Sequence, residues 1–166
     1  DDRFTWQTVG EAIVNVHWYV GDVRTAQQAL DHQPKIFKGR GRVLVMDDEK
    51  LIRDIVVQFL KVMGFETANA EDGHEAMDLY RKAMESGHAF DVVIMDLTIP
   101  GGLGGKETIK KLLAYDPAAI AIVSSGYSND PIMSNCEAYG FKGVIKKPYR
   151  FEELSDALQD LLSRKL

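Results

Sequence analysis

One cysteine, Cys136, stands among 166 residues. A single thiol excludes an internal disulfide, and such sparing use is expected of a reducing, cytoplasmic compartment. A packed place in a helix, not the role of a nucleophile, is expected for Cys136. Long apolar runs are also missing. None approaches the roughly 18–20 residues needed to cross a bilayer, and no secretory signal is legible. Basic charge is in deficit, with 20 Lys and Arg against 25 Asp and Glu and a net charge of −5. That balance excludes a nucleic-acid surface as the main business of the chain. The imbalance is local, because residues 1–41 hold five acids and five bases. No internal repeat or low-complexity segment is evident. The sequence opens Asp1-Asp2 rather than with Met, as expected of a fragment or a processed chain. What is present is a 45% hydrophobic composition, enough for one ordinary core and a small appendage.

A basic, glycine-rich stretch, Lys38-Gly-Arg-Gly-Arg42, marks a boundary between an extension over 1–40 and a domain over 41–166. From there strand and helix patterns alternate. Strands are predicted at Val43–Met46, Glu66–Ala70, Val92–Met95, Ala119–Ser124 and Gly143–Ile145. Helices are predicted at Lys50–Met63, Gly73–Met84, Gly105–Ala114, Pro131–Tyr139 and Phe151–Leu162. In the first helix Leu51, Ile55, Phe59 and Val62 recur at three and four residues, giving one apolar stripe. Gly64 and Gly140 follow their helices as stops. Five strands alternating with five helices predict an α/β, flavodoxin-like, doubly wound sheet, all parallel, in the order 2-1-3-4-5. In the extension, Trp6, Val9, Ile13, Val16, Val20, Val23 and Leu30 follow a three-four spacing. This predicts an amphipathic helix or helical hairpin, against the β-prone run Ile13–Val20 and the interruptions at Gly10 and Gly21. Its apolar stripe either packs on the domain or pairs two copies into a homodimer.

Two of the strands end in acid. Arg42-Val-Leu-Val-Met-Asp47-Asp48 and Asp91-Val-Val-Ile-Met-Asp96 are apolar runs of the kind buried on both faces of a parallel sheet. Parallel strands deliver their ends to one edge, and in the expected order strands 1 and 3 are neighbours at the topological switch, where open sheets bind ligands. Three carboxylates gathered there repel one another and lose hydration, which a bound divalent cation most simply offsets. The fourth strand closes on Ser124-Ser125-Gly126 and the fifth on Lys146-Lys147-Pro148. A hydroxyl and an ammonium join the carboxylates, and together they form a phosphoryl-transfer set: a carboxylate nucleophile, a magnesium site and charge stabilisation. The spacing leaves either serine, Ser124 or Ser125, and either lysine, Lys146 or Lys147, open.

Residues 41–166 resemble the receiver domains of two-component response regulators, the family typified by the chemotaxis regulator. The resemblance implies roles one residue at a time. Asp96, in Val-Val-Ile-Met-Asp-Leu-Thr-Ile-Pro, matches the phosphoacceptor. Asp47 and Asp48 match the acidic pair, with Asp48 a direct ligand of Mg2+ and Asp47 acting largely through water. The Thr98 backbone carbonyl matches the third protein ligand of a metal site that also includes Asp96. Ser125 matches the switch hydroxyl, and Lys147 the lysine that pairs with the acceptor and then the phosphoryl group. The Lys147-Pro148 bond is expected to be cis. The implied function is a phosphorelay module, not an enzyme beyond its own phosphorylation and slow dephosphorylation. Its implied partners are a histidine kinase or histidine phosphotransfer protein and an effector reached by protein contact.

The departures are specific. Val144 stands where many relatives carry a signalling Tyr or Phe, which puts an aromatic switch there in doubt. The loop Pro100-Gly-Gly-Leu-Gly-Gly105 is rich in glycine and resembles receivers of hybrid sensor kinases, and its flexibility is expected to speed rearrangement. Thr98 and Tyr127, two past the acceptor and two past Ser125, are expected to line the path of the hydrolytic water. Two other functions fit part of the pattern. A haloacid-dehalogenase-type phosphatase also uses an Asp nucleophile with Mg2+, Ser or Thr and Lys. It wants a second Asp two residues on, however, and Asp96-Leu97-Thr98 supplies none. A receiver-like adaptor that is never phosphorylated is the other.

Overall fold

The computed structural model describes residues 37–127 and 129–163. The chain divides into two compact units, 1–35 and 36–166, and the described residues lie in the second. Of the extension expected over 1–40 only residues 37–40 are described, and the helix with its packing or dimerising stripe expected there lies outside the described residues. The elements run β1 (Arg42–Met46), α1 (Lys50–Met63), β2 (Glu66–Ala70), α2 (Gly73–Glu85), β3 (Val92–Asp96), α3 (Gly105–Tyr115), β4 (Ala121–Ser125), α4 (Pro131–Ser134), a 3-10 turn (Cys136–Tyr139), β5 (Gly143–Lys146) and α5 (Phe151–Ser163).

The strands form one parallel sheet in the order β2-β1-β3-β4-β5. Alternation along each strand explains why the runs read as continuous hydrophobics. Val43 and Val45 of β1, with Ile94 and Ile122, pack against Val56, Val57, Leu60 and Met63 of α1 and Leu154 and Leu158 of α5. Leu44 and Met46, with Val93, Met95 and Val123, pack against Met77 and Tyr80 of α2 and Ile109 and Leu112 of α3. Both faces are covered, and each such side chain contributes about 1.5–3 kcal/mol when fully buried. The register then sets the functional edge. Met46 pairs with Met95, Asp96 with Ser124, and Ser125 with Lys146, so the strands end nearly level.

Helix ends follow their local chemistry. The Asp72 carboxylate accepts from the His74 and Glu75 backbone N–H groups at the start of α2. Gly64 ends α1 at φ 95°, and Gly140 ends the 3-10 turn at φ 96°, both left-handed as a helix stop requires. The Lys147-Pro148 bond is cis.

Three expectations need correction. The stripe Leu51, Ile55, Phe59 and Val62 is not the packed face of α1. Leu51 is 70% exposed and Ile55 and Val62 38% each, and of the four only Phe59 packs on the core, edge-on to Phe151, whereas Arg53, Val56, Val57, Leu60 and Met63 are buried. The helix carries two apolar rows, and the sheet takes the one that includes an arginine. Strand β4 starts at Ala121, not Ala119, because Asp116 holds a turn, accepting from Ala118 N–H at its side chain and from Ala119 N–H at its carbonyl. The single helix expected over Pro131–Tyr139 is broken at Asn135 (φ −143°, ψ 54°). Ser134 Oγ donates to the Pro131 carbonyl at 3.0 Å, the local competition with helix bonding that Ser and Asn favour.

Candidate functional site

Asp47 and Asp48 follow β1 directly, Asp96 closes β3, Ser125 closes β4, and Lys147 is the first residue past β5. All five reach the carboxyl edge of the sheet. Asp47 is fully buried and Asp96 nearly so, while Asp48 and Thr98 are exposed. One oxygen from each of Asp47, Asp48 and Asp96 lies within 4.8 Å of the others. Beside them opens a cleft of about 340 Å³ lined by Asp48, Glu49, Asp96, Thr98, Ser125 and Lys147, with Pro100 and Tyr127 also on its wall.

The Lys147 ammonium is the hub. Its Nζ lies 2.6 Å from Asp96 Oδ2 and 2.6 Å from Asp47 Oδ2. Lys146, the alternative in the sequence, is exposed. Burial pulls the Lys147 ammonium down, but its hydrogen bonds and charge pairing with Asp47 and Asp96 outweigh that, and its pKa rises. Burial dominates at Asp96 instead: its carboxyl is raised above the usual aspartate range despite the opposing pull of Lys147, with the Asp47 charge adding to the rise. Asp47 Oδ1 accepts from Glu49 N–H at 3.0 Å, and the buried Asp47 Oδ2 has no partner but the Lys147 ammonium at 2.6 Å. A buried carboxylate oxygen in that state is under-coordinated. Together with the all-oxygen donor set, it suits a hard divalent cation.

Ser125 Oγ accepts from Tyr127 N–H at 3.0 Å and faces the cleft, whereas Ser124 is fully buried and absent from its lining. The Thr98 N–H approaches Asp96 Oδ1 at 3.4 Å. The glycines of the β3–α3 loop have a packing role that the sequence did not convey. A Cβ on Gly105 would lie 2.7 Å from the Asp96 carbonyl, and one on Gly104 would lie 2.6 Å from that of Leu97. These two glycines let α3 approach the end of β3 closely, a packing reason for glycine at those positions.

Sequence reasoning missed two residues. Arg53 is buried on the inner row of α1, and one guanidinium nitrogen donates to the Asp47 carbonyl at 2.6 Å and the Asp48 carbonyl at 3.0 Å. Its other terminal nitrogen bonds Glu71 Oε1 at 2.9 Å. The available signal was its spacing, three before Val56 and seven before Leu60. Tyr149 is the second. Its hydroxyl donates to Ser124 Oγ at 2.7 Å behind the carboxylates. Nothing in the sequence pairs those two positions.

A parallel five-stranded sheet with this acidic edge, matched over residues 43–159 by the family model for the response regulator receiver domain, places the chain in that family. It belongs to the receiver domains of two-component signalling, which are signalling modules rather than enzymes. The chemotaxis protein CheY of Thermotoga maritima is 30% identical over 118 residues, covering 70% of this chain and 93% of that protein. A cyclic di-GMP phosphodiesterase of the same organism is 31% identical over 112 residues, covering 68% of this chain, but the match spans only 28% of that longer protein. Among solved structures, the response regulator TrrA of T. maritima in complex with Mg2+-BeF superposes with a TM-score of 0.61 at 30% identity, over 73% of this chain and 98% of that one. Family membership sets aside the phosphatase alternative. Among the described residues no helix is long and apolar enough to cross a membrane.

Proposed function

We propose that this domain is the phosphoacceptor of a phosphorelay, with Asp96 taking a phosphoryl group from a phosphohistidine on a histidine kinase or histidine phosphotransfer protein. The observation that carries this reading is the Lys147 ammonium 2.6 Å from Asp96 Oδ2, at a cleft that also collects Asp48, Thr98 and Ser125. In the transfer an Asp96 carboxylate oxygen forms the new O–P bond while the N–P bond to the donor imidazole breaks. The imidazole leaves with that electron pair and takes a proton from water. Magnesium held by Asp47, Asp48, Asp96 and the Thr98 carbonyl would neutralise charge on the phosphoryl oxygens. TrrA, solved with Mg2+-BeF, supports the same ion here.

The chain's own groups then position and stabilise. Lys147 exchanges its carboxylate contact for a phosphoryl oxygen, and the Ser125 hydroxyl turns from Tyr127 N–H to donate to another. Both movements pull on the ends of β4 and β5, altering the surface offered to an effector protein. Incubation with acetyl phosphate and Mg2+ tests this reading by intact mass. The wild type should gain one phosphoryl group and Asp96→Asn none. A wild type that gains nothing favours the adaptor reading instead.

Dephosphorylation needs water at the same phosphorus. The Tyr127 side chain, 75% exposed on the cleft wall, stands over that approach. Tyr127→Ala should shorten the phosphoryl lifetime, measured as loss of the phosphorylated mass after donor removal. An unchanged lifetime would remove Tyr127 from the water path.

A further inference from the structure

Ser124 is fully buried on β4, opposite Asp96 on one side and Ile145 on the other. Its backbone carbonyl accepts from Leu97 N–H at 2.9 Å, holding the chain just past the acceptor. Its side chain points away from the cleft. Ser124 Oγ accepts a 2.7 Å hydrogen bond from the Tyr149 hydroxyl and lies 3.5 Å from the Met95 carbonyl, one residue before Asp96. The phenol comes from the loop that carries Lys147, two residues beyond it. That loop is pinned on its other side by Lys147 N–H donating to the Ser125 carbonyl at 3.0 Å.

We propose that Tyr149 is a positioning residue for phosphoryl transfer, holding Lys147 on Asp96 through the buried Ser124 hydroxyl. The inference rests on the phosphoacceptor reading of the site. Lys147 must keep one flexible four-carbon side chain on two carboxylates, and later on a phosphoryl oxygen, so the backbone beneath it has to be fixed. Two anchors fix it, the Ser125 carbonyl before Pro148 and the Tyr149 phenol after it. The phenol is suited to the task because burial, aided by the Asp47 and Asp96 charges and only partly opposed by its bond to Ser124, raises its pKa and keeps it a donor. Ser124 in turn is a hydroxyl in an apolar layer, and such a group persists there only when paired. Phe at position 149 would fill the same space and pack on the same residues, so packing alone does not call for the hydroxyl.

The test compares Tyr149→Phe, Ser124→Ala and the double variant with wild type. It reads the rate constant of phosphorylation at saturating acetyl phosphate and Mg2+ by intact mass, alongside Mg2+ affinity by calorimetry. Each single variant should be slower by about fivefold, the scale of one net hydrogen bond expressed wholly in the reacting geometry. The double should be no slower than either single, because both remove the same link. Mg2+ affinity should stay within about twofold, since neither residue is among the proposed ligands. A merely structural role predicts a lowered thermal midpoint at an unchanged saturated rate. That result, additive effects in the double variant, or Mg2+ affinity falling in step with the rate would overturn the proposal. A wild type that does not phosphorylate sinks the underlying reading and this one with it, whereas an active wild type beside an equally active Tyr149→Phe overturns this one alone.

Discussion

Replacing Lys147 with Met is expected to slow phosphorylation of Asp96 by about 10²–10³-fold, the scale of losing one preorganised charge-stabilising group. The substitution keeps an unbranched side chain of similar length and removes the ammonium, which sits 2.6 Å from both Asp47 and Asp96. Stability should fall as well. Asp47 is fully buried, and stripping its counter-charge leaves an unpaired carboxylate, a change that costs about 3–5 kcal/mol. Two dependences separate this cause from simple loss of packing. Added Mg2+ should restore part of the lost stability by binding only the folded site. Asp96 already titrates above its usual range, and losing Lys147 removes the pull that holds it down. A carboxyl raised in the folded state destabilises the fold once it is ionised in both states. Stability is therefore full below the ordinary aspartate pKa and is lost as pH rises through the higher folded value. Lys147→Met should consequently lose less stability in acid than at neutral pH. Urea unfolding at several pH values, with and without Mg2+, checks all three points. A variant destabilised equally under every condition contradicts the charge argument.

Arg53→Lys carries the second largest expected effect. The guanidinium spans the Asp47 and Asp48 carbonyls with one nitrogen and Glu71 with another, while only 7% of its side chain is exposed. A single ammonium cannot reproduce that fork, and a buried carbonyl such as that of Asp47 costs about 1–3 kcal/mol when left without a donor. The loop carrying both acids loses its anchor, so Mg2+ should bind more weakly even though no proposed ligand has changed. Glu71 is largely exposed and contributes little to either effect. Calorimetric Mg2+ titration with a thermal melt reads both quantities. Unaltered Mg2+ affinity would assign Arg53 to packing alone.

How much of this was legible in the sequence differs from element to element. The span of α1 was readable to the residue, because Gly64 stops it and the apolar row needs its full length. The sheet order followed from alternating strands and helices, and the acid-ended strands β1 and β3 stood out because an apolar run stopping at a carboxylate is a local pattern. The inner face of α1 was not legible. Two apolar rows compete on one helix, and only the sheet decides that the row with Arg53 goes inward. Adjacent serines posed the same difficulty, since neighbours in a strand point to opposite faces, and so did adjacent lysines at the end of β5, where a shift of one residue exchanges them. In the structure Lys147 Nζ meets Asp96 while Lys146 is exposed, and Ser125 faces the cleft while Ser124 meets Tyr149. The break at Asn135 was hidden because Ile132, Met133 and Cys136 keep helical spacing through it.

The central claim, that one carboxylate of three takes the phosphoryl group, is open to one direct measurement. Borohydride reduces an acyl phosphate to an alcohol and so marks the acceptor permanently as homoserine. Treatment of the acetyl-phosphate-loaded chain with Mg2+ present, followed by peptide sequencing, should find homoserine at Asp96 alone. Homoserine at Asp47 or Asp48, or at no aspartate in a chain that carries the added phosphoryl mass, would contradict the account.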